Sequence, residues 1–95
     1  MTSLVFRIRK QYFEAIVSGE KTVEFRPHTD FWEKRIKGKK DLTTAVFICG
    51  KQVHRRKITQ IQLVRTPDWF SAQGQKDVST AYCYAIYLGS EVTKK

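Results

Sequence analysis

The segment GEKTVEFR at residues 19 to 26 constrains the fold of this chain more than any other, because a helix stop leads directly into a strand. Gly19 follows the last apolar position of a helical pattern and can take the left-handed conformation that ends a helix. Side chains then alternate between the two faces of the strand that follows. Val23 and Phe25 are therefore predicted to point into the core.

Three charged side chains accompany this predicted strand. Glu24 and Arg26 lie on the face opposite to Val23 and Phe25, and Lys21 lies at the start of the strand. If that face lines a cleft, a lysine, a carboxylate and a guanidinium emerge together, and such a group can bind an anion or the edge of a base. An ordinary surface strand would show the same pattern, and an exposed pair of Glu24 and Arg26 would contribute little to stability. Both interpretations place the three charges on the solvent side.

The residues before this segment predict a strand followed by a helix. Apolar positions alternate with others from residue 4 to residue 9, which is typical of a half-buried strand with Arg7 and Arg9 on its open face. Between residues 11 and 18 the apolar side chains instead recur at helical spacing, at Tyr12, Phe13, Ile16 and Val17. The predicted order is strand, helix, strand, with the helix packed on a sheet.

Three more strands are predicted in the rest of the chain. They cover residues 44–49, 53–65 and 81–88, and Gly50 to Gln52 form the turn between the first two. In the second of these strands, alternation assigns one set of side chains to a common face: Ile58, Gln60, Gln62 and Val64. In the last strand the smaller side chains share a face that we expect to point into a tight barrel: Ala81, Cys83, Ala85 and Tyr87.

Two short helices are predicted between the strands. Asp30 and Glu33 have the spacing of a capping box, and Gly38 provides a stop, so one helix is expected between Asp30 and Gly38. Thr66 as the cap and Pro67 at the first helical position predict the other helix.

Size and charge limit what the chain can do. Its 95 residues suffice for one domain with one core, and a hydrophobic content of 41% argues against disorder. Eighteen lysines and arginines against nine acidic residues give a formal net charge of +9. A chain this small then has a positive potential over much of its surface, so polyanions are expected partners.

The sequence also argues against several classes of protein. No apolar run approaches the roughly 18 residues of a membrane span, and the first residues lack the apolar stretch of a secretory signal. We therefore expect a cytoplasmic protein that makes no membrane contact, with a monomer favoured. Cys49 and Cys83 each fall in a strand pattern and are expected to be buried free thiols. Two histidines far from any cysteine pattern predict no metal site, and no cofactor is predicted.

The segment and its surroundings resemble the ASCH domain family over residues 4 to 26. Four residues fall on the family signature, approximately G-x-K-x-x-E-x-R after a strand and a short helix: Gly19, Lys21, Glu24 and Arg26. The resemblance implies an α+β fold that is PUA-like, a mostly antiparallel and partly closed β-barrel of about five strands with two or three short flanking helices. From the length of the chain and its last residues we expect a single domain of this kind over residues 1–90, followed by a basic C-terminal tail at 91–95.

The resemblance and the charge together give a first functional hypothesis, the binding of RNA or a nucleotide in a cleft beside the first helix. Five residues are candidates to line that cleft: Arg9, Tyr12, Lys21, Glu24 and Arg26. A basic run is the candidate for a secondary contact with a nucleic-acid backbone: His54, Arg55, Arg56 and Lys57. Four aromatic residues on predicted short helices or loops are candidates to stack on unpaired bases: Phe31, Trp32, Trp69 and Phe70.

Two alternatives remain open. Some members of the family remove an acyl group from the exocyclic nitrogen of cytidine and others cleave RNA, so Lys21 and Glu24 are candidate catalytic residues of an N4-acylcytidine amidohydrolase or a ribonuclease. The amidohydrolases have a threonine where this chain has Glu24, so catalysis would need another mechanism, with Glu24 as a general base on water. The other alternative is a protein-interaction or regulatory module whose basic surface meets an acidic partner.

Overall fold

A five-stranded mixed sheet, curled into a half-barrel, carries two helices on one of its faces. The computed structural model describes residues 2–39, 41–67 and 82–92. The helix expected after Pro67 lies outside these residues. Within them the elements are β1 (Thr2–Arg7), α1 (Lys10–Ser18), β2 (Val23–Pro27), α2 (Asp30–Ile36), β3 (Leu42–Cys49), β4 (Gln52–Arg65) and β5 (Tyr82–Glu91).

The strands are ordered β1-β3-β4-β5-β2, so β1 and β2 form the two free edges of the sheet. Strand β1 runs parallel to β3, and the other three pairings are antiparallel. These observations confirm the predicted α+β class and the mostly antiparallel, partly closed barrel. We call the gap between the two edge strands the seam.

Helix α1 follows the prediction closely. Gly19 has a φ of 88°, and its N–H donates to the Ile16 carbonyl 3.1 Å away. A side chain with a Cβ is strained in this left-handed conformation, so glycine permits the abrupt exit from the helix. The N–H of Lys21 then donates to the Ala15 carbonyl at 2.9 Å and holds the start of β2 against the helix end. The predicted order of strand, helix and strand is confirmed.

Helix α2 is capped one residue earlier than the sequence predicted. The Thr29 hydroxyl accepts a hydrogen bond from the Trp32 N–H at 3.4 Å, and Asp30 is the first helical residue rather than the cap. Asp30 and Glu33 instead place negative charge in the first turn, where the helix dipole stabilises it. In the described ranges, neither helix has the length and apolar character that crossing a membrane requires.

Aromatic rings on one face of the sheet form the centre of the core. Phe6 of β1 stacks on Trp32 of α2 and on Phe47 of β3, with 5.3 Å between the ring centroids in both cases. Helix α1 adds Phe13 and Ile16 to the same cluster. We call this face of the sheet, which both helices cover, the inner face, and the opposite one the outer face.

Strand β4 departs from the simple alternation that the sequence suggested. Its pairing with β5 is irregular between Arg56 and Gln60, so Ile58 and Ile61, three residues apart, both pack against the core. An irregularity of this kind shifts the later side chains to the other face. The predicted common face is therefore correct for Gln60, Gln62 and Val64, which pair with one face of β5, and wrong for Ile58, which lies on the inner face.

Strand β5 turns its larger side chains inward. Tyr84, Ile86 and Leu88 join the core cluster, whereas Cys83 and Ala85 are fully buried on the other face. The prediction that the small side chains point inward is therefore wrong. A half-closed barrel leaves more inner space than a tight one, and bulky side chains fill it. The prediction of free thiols is confirmed, with Cys83 buried and Cys49 half-buried.

Strand β5 extends one residue beyond residue 90, where the predicted domain ends. Strand β5 includes Glu91, and the N–H of Val92 donates to the Arg55 carbonyl at 2.9 Å. Glu91 therefore belongs to the sheet, and Val92 is held to it by one backbone hydrogen bond. Residues 93–95 lie outside the described residues.

Candidate functional site

Strand β2 presents its charged face, and not its apolar face, to the inside of the half-barrel. Glu24 is only 5% exposed, whereas Val23 and Phe25 are half-buried on the outer face. The cross-strand partner of Glu24 is Ile86, a core residue, so the pairing with β5 fixes this orientation. The prediction that Val23 and Phe25 point into the core is therefore wrong.

The three predicted site residues do come together, around the carboxylate of Glu24. Lys21 Nζ lies 3.3 Å from Glu24 Oε1 and donates to the Val23 carbonyl at 2.8 Å. Arg26 donates to Glu24 Oε2 through Nε at 2.8 Å and approaches the same oxygen through Nη2 at 2.6 Å. One buried carboxylate is therefore shared by two cations, and the group has a net charge of +1. We call it the Lys21–Glu24–Arg26 cluster.

Arg26 also connects the two free edges of the sheet. Its guanidinium carbon lies 5.0 Å from the ring centroid of Phe6 on β1 and 5.2 Å from that of Trp32 on α2. A cation over an aromatic face is attracted to the ring electrons, and the arginine stem covers apolar surface at the same time. This packing explains why a strand with an arginine on its inner face is compatible with the core. The cluster consequently lies at the seam.

The cluster keeps hydrogen-bond donors that the protein does not use. An arginine has five N–H donors and a lysine three. Within the described residues, Nη1 of Arg26 and one N–H of Lys21 have no protein acceptor. The Lys21 and Arg26 side chains are 23% and 21% exposed, against 7% for Glu24. The cluster can therefore offer donors to an oxygen acceptor from outside, such as a phosphate or a base carbonyl.

Arg9 and Tyr12 lie at the junction of β1 and α1. Arg9 is exposed and precedes the first residue of α1, where its carbonyl accepts a hydrogen bond from the Phe13 N–H at 2.9 Å. Tyr12 is half-buried. Across the described ranges, no hydrogen bond or ion pair joins either side chain to the Lys21–Glu24–Arg26 cluster. Their predicted role as ligand-binding neighbours stays a prediction.

The basic run from residue 54 to residue 57 is divided between the two faces of β4. His54 and Arg56 are paired with Phe47 and Ala45, which places them on the inner face, whereas Arg55 and Lys57 are on the outer face. Arg56 Nε donates to the Gly89 carbonyl at 2.6 Å, and its Nη1 donates to the Ile16 carbonyl at 2.8 Å. Arg56 thus ties the end of α1 to β5. The four residues do not form one continuous surface.

His54 is buried beside α1 with only part of its hydrogen-bonding capacity used. Its Nε2 has no protein partner within the described residues, and its Nδ1 lies 3.9 Å from Glu91 Oε2. The ring also meets Phe13 edge to face. Burial lowers the pKa of His54 below 6.5, and Arg56 lowers it further, while the nearby Glu91 carboxylate raises it. His54 therefore belongs to the core and offers no contact to a nucleic-acid backbone.

The aromatic residues proposed for base stacking also differ in their exposure to solvent. Trp32 is buried on Phe6 and so is part of the core. Phe31 is exposed, and the Arg35 guanidinium carbon lies 3.5 Å from its ring centroid. Trp69 and Phe70 lie outside the described residues.

One candidate was missed by the sequence reasoning. Arg7 is exposed on the outer face of β1, on the same side of the sheet as Arg55 and Lys57. The alternation from residue 4 to residue 9 already indicated that Arg7 is on an open face. What could not be seen was that β1 pairs with β3, which places Arg7 near the cations of β4.

The observed contacts of Glu24 argue against its predicted role as a general base beside Lys21. Both carboxylate oxygens of Glu24 already face cations, so neither is free to take a proton from water in this arrangement. In the described part of the chain, no three histidine, cysteine or carboxylate side chains come together as metal ligands would.

Comparisons of this chain with models of known protein families, with curated proteins and with solved structures found no match. Membership of the ASCH domain family therefore stays a prediction.

Proposed function

We propose that this chain is an ASCH-like domain with a PUA-like fold, and that it binds RNA or a nucleotide at the seam through the Lys21–Glu24–Arg26 cluster. The observation that carries the proposal is the sharing of one buried carboxylate by two cations that keep unused donors. Glu24 holds both cations in place before a ligand arrives. A preorganised site loses less conformational entropy on binding than two free side chains would.

The charge of the rest of the chain favours a nucleic acid over a small neutral ligand. Of the lysines and arginines in the described ranges, only Lys21, Arg26 and Lys37 pair with a carboxylate. The remaining cations there form no ion pair with a described carboxylate, and the formal net charge is +9. Such a surface attracts a polyanion and accelerates its association.

Binding is supported better than hydrolysis by the geometry of Glu24. A general base must be able to accept a proton from the attacking water. Since Lys21 approaches one oxygen of Glu24 and Arg26 the other, this carboxylate acts as a holder of cations. The arrangement therefore favours recognition of an acceptor-rich ligand.

The test replaces Lys21 by glutamine, which removes the charge and keeps an amide that can still donate to the Val23 carbonyl. We expect affinity for an oligouridylate of about 12 nucleotides to fall about tenfold, equivalent to ~1.4 kcal/mol. Fluorescence anisotropy at low and moderate salt measures it. The control is Lys39→Gln, which removes an equal charge at an exposed position after α2.

Chemical-shift mapping with uridine monophosphate locates the site directly. The backbone amides of Val23, Glu24 and Phe25 should move on titration, and these movements should be lost in Lys21→Gln. Equal loss of oligouridylate affinity in the Lys21 and Lys39 variants, together with no shifts at the seam, would contradict the proposed site.

A further inference from the structure

The outer face of β1, β3 and β4 is a second surface with a regular arrangement of side chains. Residues paired across strands lie on the same face of a sheet, so the observed register defines three rows that cross these strands. The rows are Ser3–Thr44–Lys57, Val5–Val46–Arg55 and Arg7–Ile48–Val53.

The charges on this face all have one sign. Its cations are Arg7, Arg55 and Lys57, and none of the nine positions is a carboxylate. Arg7 and Lys57 are exposed and Arg55 is half-buried, and none of the three forms an ion pair within the described residues. Positive charge on this face is therefore available to a ligand.

The spacing of the cations suits a ligand with several separated negative charges. Neighbouring strands are about 4.8 Å apart, and alternate residues of one strand are about 6.7 Å apart. Arg55 and Lys57 therefore have Cα atoms about 7 Å apart, and Arg7 lies roughly 12 Å from Arg55 across two strands. A single phosphate cannot engage the whole set at once, whereas a chain of phosphates can.

We infer that this face binds the phosphate backbone of single-stranded nucleic acid. The inference rests on the proposed function for the chemical class of the ligand, and it adds a site on the opposite side of the sheet from the Lys21–Glu24–Arg26 cluster. It also selects between the two ligands of that proposal, because a free mononucleotide cannot use the outer face as a polymer does. The physiological ligand is then an RNA strand.

Charge complementarity favours a nucleic acid over an acidic protein as the occupant. Protein interfaces are depleted of charge at their centre and enriched in aromatic side chains. One third of the nine positions are cations, and none is aromatic. Contacts between exposed cations and phosphates need no aromatic residue.

The test compares two double variants of equal charge, Arg55→Gln/Lys57→Gln on the outer face and Lys34→Gln/Lys39→Gln on and after α2. Binding of an oligouridylate of about 12 nucleotides is measured against salt concentration. We expect the outer-face variant to bind at least about tenfold more weakly than the control variant. The slope of log affinity against log salt concentration should also become shallower by about 1.4, because each phosphate contact on a single strand contributes about 0.7 to that slope and two contacts are removed. Uridine monophosphate should bind both variants equally.

Each result supports one proposal or overturns one. Equal affinity of the two double variants for the oligonucleotide overturns the outer-face site, and so does equally tight binding of polyglutamate through the same two residues. If the outer-face variant loses affinity and Lys21→Gln does not, the outer face stands and the seam site fails. If Lys21→Gln alone loses affinity, the seam site stands and the outer face fails. Thermal unfolding of every variant confirms that it is folded.

Discussion

Adjacent residues of β4 show how differently the two faces of the sheet use the same kind of side chain. Arg56, on the inner face, donates to carbonyls of Gly89 and Ile16 and so holds a helix to a strand. Arg55, on the outer face, makes no ion pair within the described residues and is available to a ligand. Of these two adjacent arginines, Arg56 therefore stabilises the fold and Arg55 is a candidate binding residue.

This difference shows that a net charge counted from the sequence overstates the charge that a ligand can meet. On the inner face, the Arg56 guanidinium donates to two backbone carbonyls, and Glu24 offsets one of the two positive charges of Lys21 and Arg26. On the outer face, Arg7, Arg55 and Lys57 form no ion pair with any carboxylate of the described ranges. The contacts that each cation makes within the fold, rather than the number of basic residues, therefore decide which charges are available.

The largest expected loss of stability is that of Phe6→Ala on the inner face, and Phe25→Ala on the outer face is the variant to compare with it. Phe6 is fully buried and stacks on two other rings, so Phe6→Ala should reduce the free energy of unfolding by ~3–5 kcal/mol. Phe25 is half-buried, so Phe25→Ala should cost only about 1–2 kcal/mol. Urea denaturation measures both. Equal losses would mean that the two faces are buried to the same extent.

Removal of the shared carboxylate should have the next largest effect. Glu24→Gln leaves Lys21 and Arg26 side by side, each only about a fifth exposed, with no negative charge between them. Breaking such a buried pair typically costs ~3–5 kcal/mol, and the partial exposure of the cations places this case near about 3 kcal/mol. The control Glu14→Gln, on the exposed side of α1, should change stability by less than about 0.5 kcal/mol. A Glu24 variant as stable as the control would show that the cluster is solvated.

A third prediction sharpens the comparison within β4. Arg56→Gln removes two hydrogen bonds from a charged donor and should cost ~1.5–3 kcal/mol. Arg55→Gln should change the free energy of unfolding by no more than about 0.5 kcal/mol, because its guanidinium makes no such contact with the described part of the chain. Denaturation of the two single variants under the same conditions checks the pair. A reversed order would contradict the assignment of faces.

Much of the fold could be predicted because its signals are local. The stop at Gly19 and the helical spacing of Phe13 and Ile16 involve neighbours in the chain, and the structure confirms both. The alternation from residue 4 to residue 9 is equally local, and Leu4 and Phe6 are indeed buried. Local patterns of this kind gave the correct elements and the α+β class.

The orientation of β2 could not be predicted, because it depends on residues that are distant in sequence. Its apolar positions and its charged positions alternate equally well in either orientation. Arg26 faces inward because the rings of Phe6 and Trp32 receive its guanidinium, and Glu24 faces inward because two cations meet it. From strand alternation alone, a carboxylate is predicted to be exposed, because burial of an unpaired charge is unfavourable. Only the tertiary contacts of Glu24 make its burial favourable.

The contacts of Arg56 and the irregular pairing of β4 also depend on residues that are distant in sequence, so they could not be predicted. The acceptors of Arg56 lie 33 and 40 residues away in the chain. Strand β4 itself has no glycine or proline between Ile58 and Gln60 to mark the shift, and the glycine that lies against Thr59, Gly89, is on the partner strand β5, 30 residues later in the chain. Two residues of the run from His54 to Lys57 therefore lie on the inner face, buried His54 and half-buried Arg56, although the run resembled a uniform basic surface.

The smallest expected effect concerns His54 on the inner face, whose Nε2 has no hydrogen-bond partner among the described residues. Burial lowers its pKa below the 6.5 of an unfolded histidine, so between these two values the unfolded chain binds a proton that the folded chain does not. The contribution to stability is therefore complete above pH 6.5 and is lost as the pH falls through the lowered pKa. Denaturation midpoints measured across this range should decline on acidification, and His54→Gln should decline less. Parallel curves for the two proteins would show that Glu91 compensates the buried charge, and His54 would then resemble Glu24 in having an effective counterion.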